Sequence, residues 1–97
     1  MRLSVLQKYI LRQCFLEKKR FNRHKLINFY SNVKKAPKKE DQVNIITKSI
    51  ERLIDKGLLV GYGERTREKW FIKEIRLTPV GGRLARELLG KQQKLKI

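Results

Sequence analysis

Apolar residues near the start of the chain recur with the period of a helix. Over residues 3–16 they fall every third or fourth position, as in an amphipathic helix. The members of this first stripe are Leu3, Leu6, Ile10 and Cys14. A second stripe lies about 120° around the same helix and consists of Val5, Tyr9 and Leu16. A helix that is apolar on two sides needs two partners, so we expect the first to be the domain core, while the second could be another subunit.

Two further helices are predicted before residue 58. The first spans 23–31, with Asn22 as its N-cap. The second can begin anywhere from residue 37 to 41, because Pro37 disfavours helix at the residue before it, and we favour 42–56. The predicted inward side of this third helix consists of Val43, Ile46, Ile50, Leu53 and Ile54.

The pattern becomes strand-like after Gly57, which we expect to end the third helix in a left-handed conformation. A strand begins at residues 58–60, a polar turn follows, and residues 70–77 alternate as a second strand. Phe71, Ile75 and Leu77 are predicted on one face of that strand, and Trp70 and Ile72 on the other. Thr78 then caps a last helix whose first residue is Pro79.

Composition indicates a single folded domain spanning residues 1–97. Hydrophobic residues make up 40% of the chain, enough for a small core. The longest uncharged run, residues 26–33, is far below the roughly 20 residues of a transmembrane helix. The chain has one cysteine, which excludes an internal disulfide and a cysteine-cluster zinc site.

The charge is strongly positive and unevenly distributed. The chain has 25 Lys and Arg against 9 Asp and Glu, a net charge of +16. Residues 18–39 contain nine basic residues and no acidic one. We call this stretch the basic segment. So positive a domain attracts polyanions, and nucleic acid is the expected partner, ahead of an anionic membrane surface. The alternative is that the basic segment is a solvated loop without a partner.

Two motifs give the chain a family resemblance. The first is TKSIERL at 47–53 followed by KGL at 56–58, and the second is LTPVGGRL at 77–84. Together they resemble the third helix, its exit and the wing return of winged helix-turn-helix transcription regulators of the MarR-like and PadR-like kind. The resemblance implies a mainly α fold with a small β-ribbon (α+β): three helices, a two-stranded wing over 61–77 and a C-terminal helix. It also implies double-stranded DNA as the partner, with the 42–56 helix in the major groove.

The resemblance also directs the choice of DNA-binding residues. A recognition helix needs donors and acceptors along one face, and here these are Asn44, Thr47, Lys48 and Arg52. The wing supplies Arg65, Arg67 and Lys69, and the basic segment supplies Arg23, Lys34, Lys35, Lys38 and Lys39 for phosphates. The alternatives are a solvated helix face and a wing turn neutralised by Glu64 and Glu68. Trp70 and Phe71 are interpreted as packing within the wing rather than stacking on bases.

The remaining patterns predict what the protein lacks. We predict no catalytic residues, no metal site and no cofactor, with His24 on the surface and Cys14 in the core. The short chain leaves little volume for an effector pocket between the wing and the dimer helices, so no small-molecule ligand is predicted. Because nucleic acid is the preferred partner for the basic surface, no membrane partner is predicted.

The sequence therefore favours a cytoplasmic, sequence-specific DNA-binding transcription regulator, nucleoid-associated if the host is prokaryotic. We expect a homodimer that pairs through the helices at 1–17 and 79–97. The alternative function is a winged-helix module that binds RNA or a protein partner within a larger complex.

Overall fold

The computed structural model describes residues 2–17, 19–31 and 33–94. Lys18 and Asn32 of the basic segment, and residues 95–97 of the expected last helix, lie outside the described residues. The elements in chain order are α1 (Val5–Glu17), β1 (Phe21–Asn22), a 3₁₀ helix (Arg23–Tyr30), α2 (Lys39–Asp55), β2 (Leu59–Arg65), β3 (Trp70–Leu77) and α3 (Pro79–Lys94). The predicted α+β class and winged-helix order are confirmed.

Helix α1 begins with a reciprocal cap that the sequence analysis missed. The backbone N–H of Gln7 donates to the Ser4 hydroxyl at 3.1 Å, and the Ser4 N–H donates to the Gln7 amide oxygen at 3.0 Å. The predicted inward stripe is buried at Leu6, Ile10 and Cys14, and Leu11 joins it.

The second stripe of α1 does not behave as one surface. Val5 and Leu16 are 70% and 63% exposed, as an unpaired face would be. Tyr9 is instead half-buried, with its ring 5.1 Å from that of Phe29. Tyr9 therefore belongs to the chain's own packing.

The segment after α1 adds a strand to the sheet. Asn22 caps the following helix as predicted, accepting from the N–H of His24 at 2.9 Å, but that helix is 3₁₀ rather than α. The two residues Phe21 and Asn22 pair antiparallel with Ile75 and Glu74, so the sheet has three strands in the order β1-β3-β2. A two-residue strand carries no periodicity, which is why the pattern could not reveal it.

Helix α2 begins three residues before the favoured start, at Lys39. Glu40 and Asp41 occupy its first turn, where carboxylates stabilise the helix dipole. Gln42 turns inward and its side-chain amide donates to the carbonyl of Pro37 at 2.7 Å. The prediction for Val43 is therefore wrong: it is 43% exposed. Ile46, Ile50 and Leu53 are buried as predicted.

The wing contains a β-bulge that shifts its alternation. Tyr62 pairs with Glu74 but Gly63 pairs with Ile72, so Lys73 is the extra residue. Ile72 and Ile75 are consequently both buried, and Phe71 is 47% exposed. The predicted faces of β3 are wrong for this reason.

A polar joint connects the end of α2 to the start of α3. Gly57 has φ 76°, the predicted left-handed conformation. The Thr78 hydroxyl donates to the carbonyl of Gly57 at 2.6 Å and accepts from the N–H of Gly81 at 3.0 Å. This joint holds the two ends of the wing together, at the exit from α2 and the start of α3.

Across the residues that the structure describes, no helix is long and apolar enough to cross a membrane.

Candidate nucleic-acid interface

The outer face of α2 presents three of the four predicted base-contacting residues to solvent. Asn44, Lys48 and Arg52 are exposed, opposite the buried side of the helix. Thr47 is half-buried and its hydroxyl is already engaged, because it donates to the carbonyl of Val43 at 2.9 Å and accepts from Arg23. Thr47 therefore contributes less free hydrogen-bonding capacity than its spacing indicates.

Arg23 is held inside the fold. Its Nη1 donates to the carbonyl of Ile72 on β3 at 3.4 Å. Its Nη2 donates to the carbonyl of Val43 at 3.3 Å and to the hydroxyl of Thr47 at 2.5 Å, both on α2. Burial lowers the pKa of the Arg23 guanidinium, and the nearby Glu51 carboxylate opposes that shift. Arg23 thus joins the 3₁₀ helix, α2 and the wing, a role that the sequence pattern did not reveal.

The wing tip contains the cations Arg65, Arg67 and Lys69 together with Glu64 and Glu68. Within the described part of the chain, the one ion pair joins Lys25 to Glu17 at 3.7 Å, so Glu64 and Glu68 form none with the wing cations. Arg65 lies 4.9 Å from the ring centroid of Trp70 instead. Arg67 is exposed at the tip.

Trp70 packs between the wing and α2. A Cβ placed on Gly61 would lie 3.1 Å from the Trp70 indole and 3.0 Å from Cδ1 of Ile54. The absence of a side chain at Gly61 therefore leaves room over β2 for both the indole and the side chain of Ile54. Trp70 is partly buried against the core, which confirms the interpretation of it as a packing residue, whereas Phe71 is 47% exposed and does not fit it.

The lysines of the basic segment follow the 3₁₀ helix and lead into α2. Lys34, Lys35, Lys38 and Lys39 are all exposed. Lys38 occupies the N-cap position of α2, and no side chain caps the helix there. The positive end of the helix dipole and these lysines reinforce one another.

A cleft of about 290 Å³ separates α2 from the wing. We call it the helix–wing cleft. Its lining includes His24, Val43, Asn44, Lys69, Phe71 and Lys73. Lys69 Nζ lies 5.3 Å from the ring centroid of Phe71. Phe71 and Lys73 were not among the predicted site residues, because only the bulge at Lys73 sets their orientation.

A second, open groove of about 520 Å³ lies between α1, the wing and the start of α3. Its lining includes Cys14, Val60, Tyr62 and Arg76. The expectation that no small-molecule ligand binds stays a prediction. Burial raises the pKa of the Cys14 thiol to about 12, so that thiol stays protonated at neutral pH.

His24 is exposed, as predicted. Over residues 2–17, 19–31 and 33–94, no group of three or more His, Cys, Asp or Glu side chains could hold a metal ion.

Sequence comparison and structural comparison give different results. No family model matches the chain, and no curated protein matches it by sequence. Among solved structures, the adhesin competence repressor AdcR from Streptococcus pyogenes superposes with a TM-score of 0.66 at 18% identity over 97% of this chain. A mutant of ZitR from Lactococcus lactis superposes with a TM-score of 0.64 at 18% identity over 98% of this chain.

These matches define the fold. The chain spans 60% of the AdcR chain and 56% of the ZitR chain. At such low identity the likeness shows a common fold, the winged helix, which agrees with the observed order of elements.

Proposed function

We propose that this chain is a sequence-specific double-stranded DNA-binding domain that regulates transcription. Helix α2 would enter the major groove, whose width of about 12 Å admits one helix. The wing would reach the neighbouring minor groove, where arginine favours narrow A·T-rich segments. The observation that carries this proposal is the placement of an exposed donor face on α2 beside a cationic wing, across one cleft.

The fold and the charge support the same function. The winged-helix neighbours include a protein named as a repressor. The net charge of +16 favours a polyanion through release of its counterions. Neither observation supports catalysis, so we propose that the regulator is not an enzyme and needs no cofactor. We propose that it acts in the cytoplasm, at the nucleoid if the host is prokaryotic.

Selection from a random duplex DNA library at two salt concentrations tests this function. Sequence-specific binding should enrich one motif at both concentrations, because base contacts are less salt-dependent than phosphate contacts. Binding that disappears at the higher salt without any enriched motif would reduce the proposal to charge attraction alone.

One observation favours the alternative, a module that binds RNA or a protein partner. Val43 and Ile45 are exposed on α2, where a DNA reader more often carries polar groups. A thymine methyl group offers an apolar contact to such residues, so the DNA proposal accommodates them. Enrichment from an RNA library and not from a DNA library would favour the alternative.

A further inference from the structure

The helix–wing cleft lies where a DNA strand would pass if the proposed function holds. A helix in the major groove and a wing in the adjacent minor groove are separated by one sugar–phosphate strand. The two walls of the cleft are those two elements, with Val43 and Asn44 on α2 and Phe71 and Lys73 on β3. Whatever occupies this cleft is in contact with both elements.

The charged lining of the cleft is basic. Among the described residues that line it, the ionisable side chains are Arg23, His24, Lys69 and Lys73. Arg23 is occupied by its internal hydrogen bonds to α2 and β3. Lys69 and Lys73 are exposed and supply the ammonium groups that a phosphate needs.

The cleft also has an apolar part, which a phosphate alone would not use. Phe71 and Val43 are 47% and 43% exposed and both line the cavity. Lys69 lies over the Phe71 ring, so a cation and an apolar surface are adjacent. A deoxyribose phosphate combines these two chemistries, since its sugar has an apolar face and its phosphate is anionic.

We propose that the helix–wing cleft binds one deoxyribose-phosphate unit of a DNA strand, with Lys73 and Lys69 on the phosphate and Phe71 and Val43 against the sugar. This assignment rests on the proposed DNA-binding function. It adds Lys73 as a phosphate-binding residue and Phe71 as an apolar contact to the backbone.

The test compares cleft variants with matched variants that line the open groove beside α1 instead. Lys73→Gln is paired with Arg76→Gln, an exposed cation of the same strand that lines the α1 groove. Phe71→Ala is paired with Val60→Ala, an exposed apolar residue that lines the same groove. The probe is a mixed-sequence duplex of roughly 30 base pairs, about three helical turns, and its Kd is measured by anisotropy over a salt series.

Lys73→Gln should weaken binding about eightfold at roughly 0.1 M salt and reduce the magnitude of the salt slope by about one. Phe71→Ala should weaken binding about fivefold with the slope unchanged, because it removes apolar contact and no charge. Arg76→Gln and Val60→Ala should leave the Kd within about twofold of the unmodified chain. Val43→Ala, on the other wall, should act like Phe71→Ala, and it replaces that variant if thermal unfolding shows the wing to be perturbed.

Equal effects of Lys73→Gln and Arg76→Gln would overturn the assignment of the phosphate. Equal effects of the Phe71→Ala or Val43→Ala variant and Val60→Ala would overturn the assignment of the sugar. Both outcomes leave the proposed function intact, because the unmodified chain still binds the duplex. Failure of the unmodified chain to bind any duplex at low salt would refute the proposed function itself.

Discussion

Gly81 shows how one residue sets the position of a helix. A Cβ at this position would lie 2.0 Å from the carbonyl oxygen of Leu58, whereas a Cβ on the neighbouring Gly82 would meet nothing within 4 Å. The Gly81 N–H also donates to the Thr78 hydroxyl. The first glycine of the LTPVGGRL motif, Gly81, therefore permits the start of α3 to lie directly on Leu58, where the chain leaves α2.

This contrast gives a prediction for two adjacent alanine substitutions. Gly81→Ala should lower the free energy of unfolding by about 2–3 kcal/mol, since the backbone of Leu58 must move. Gly82→Ala should raise it by about 0.5–1 kcal/mol, because alanine is favoured over glycine inside a helix. Urea unfolding of both variants measures the difference. Equal stabilities would mean that α3 does not lie against Leu58 as described.

At the scale of elements, Arg23 connects the 3₁₀ helix to both proposed DNA-binding elements. Arg23→Ala should weaken DNA binding while leaving the salt slope unchanged, because it alters the position of α2 relative to the wing rather than removing a phosphate contact. Arg23→Lys should recover little, since an ammonium cannot reproduce the forked contacts to three acceptors. Titrations over a salt series distinguish the two roles: a slope reduced by about one would identify Arg23 as a phosphate contact.

Helix α2 and the basic segment should make different kinds of contact. Lys48→Ala and Arg52→Ala should each cost about 1–3 kcal/mol of binding and relax the preference at one base position, if these side chains reach base edges. Lys34→Ala and Lys38→Ala should weaken all sequences equally. Binding to a panel of single-position variants of the selected site measures this. Identical behaviour of the two pairs would show that α2 does not read the sequence.

The features that the sequence predicts well are those with a regular pattern over many residues or with a strong local signal. The inward stripe of α1, the left-handed Gly57 and the Thr78 cap each depend on residues close in the chain, and the structure confirms them. The bulge at Lys73 depends on pairing between strands, so the faces of β3 could not be read from alternation.

The candidate site was predictable only in part, for a similar reason. Exposure of Lys48 and Arg52 follows from helical periodicity. The internal role of Arg23 arises from contacts with residues 20 to 49 positions away along the chain. The number of basic residues in a segment does not show which of them bond within the fold and which remain available to a ligand.

At the scale of the whole molecule, the charge predicts a strong dependence of DNA affinity on salt. If a dimer neutralises about eight phosphates, log K should fall with log salt at a slope near −7. Filter binding or anisotropy over a range of salt concentrations gives the slope. A value shallower than about −2 would indicate that the basic surface does not face a polyanion.

The exposed ends of the second α1 stripe predict how the molecule assembles. We expect a homodimer in which Val5 and Leu16 are covered, placing two α2 helices roughly 34 Å apart on a pseudo-palindromic site. Leu16→Glu should dissociate it without loss of thermal stability, because Leu16 is exposed in the single chain. Tyr9 is unsuitable for this test, since it packs on Phe29.

Sedimentation equilibrium at tens of micromolar distinguishes the two states. Val33→Glu serves as the control, because it makes the same change of charge at an exposed residue outside the helices. A monomer for the unmodified chain would contradict the expected dimer, and would favour a partner of another kind on this face.

The position of Trp70 has a practical consequence. It is the chain's single tryptophan, and its indole lies over Gly61 beside Ile54, where the wing meets α2. The indole also lines the helix–wing cleft, so its fluorescence reports on both the junction and the cleft, without an attached dye. Rapid mixing with duplex DNA should therefore show a change in emission when the cleft is occupied, because the surroundings of the ring then change.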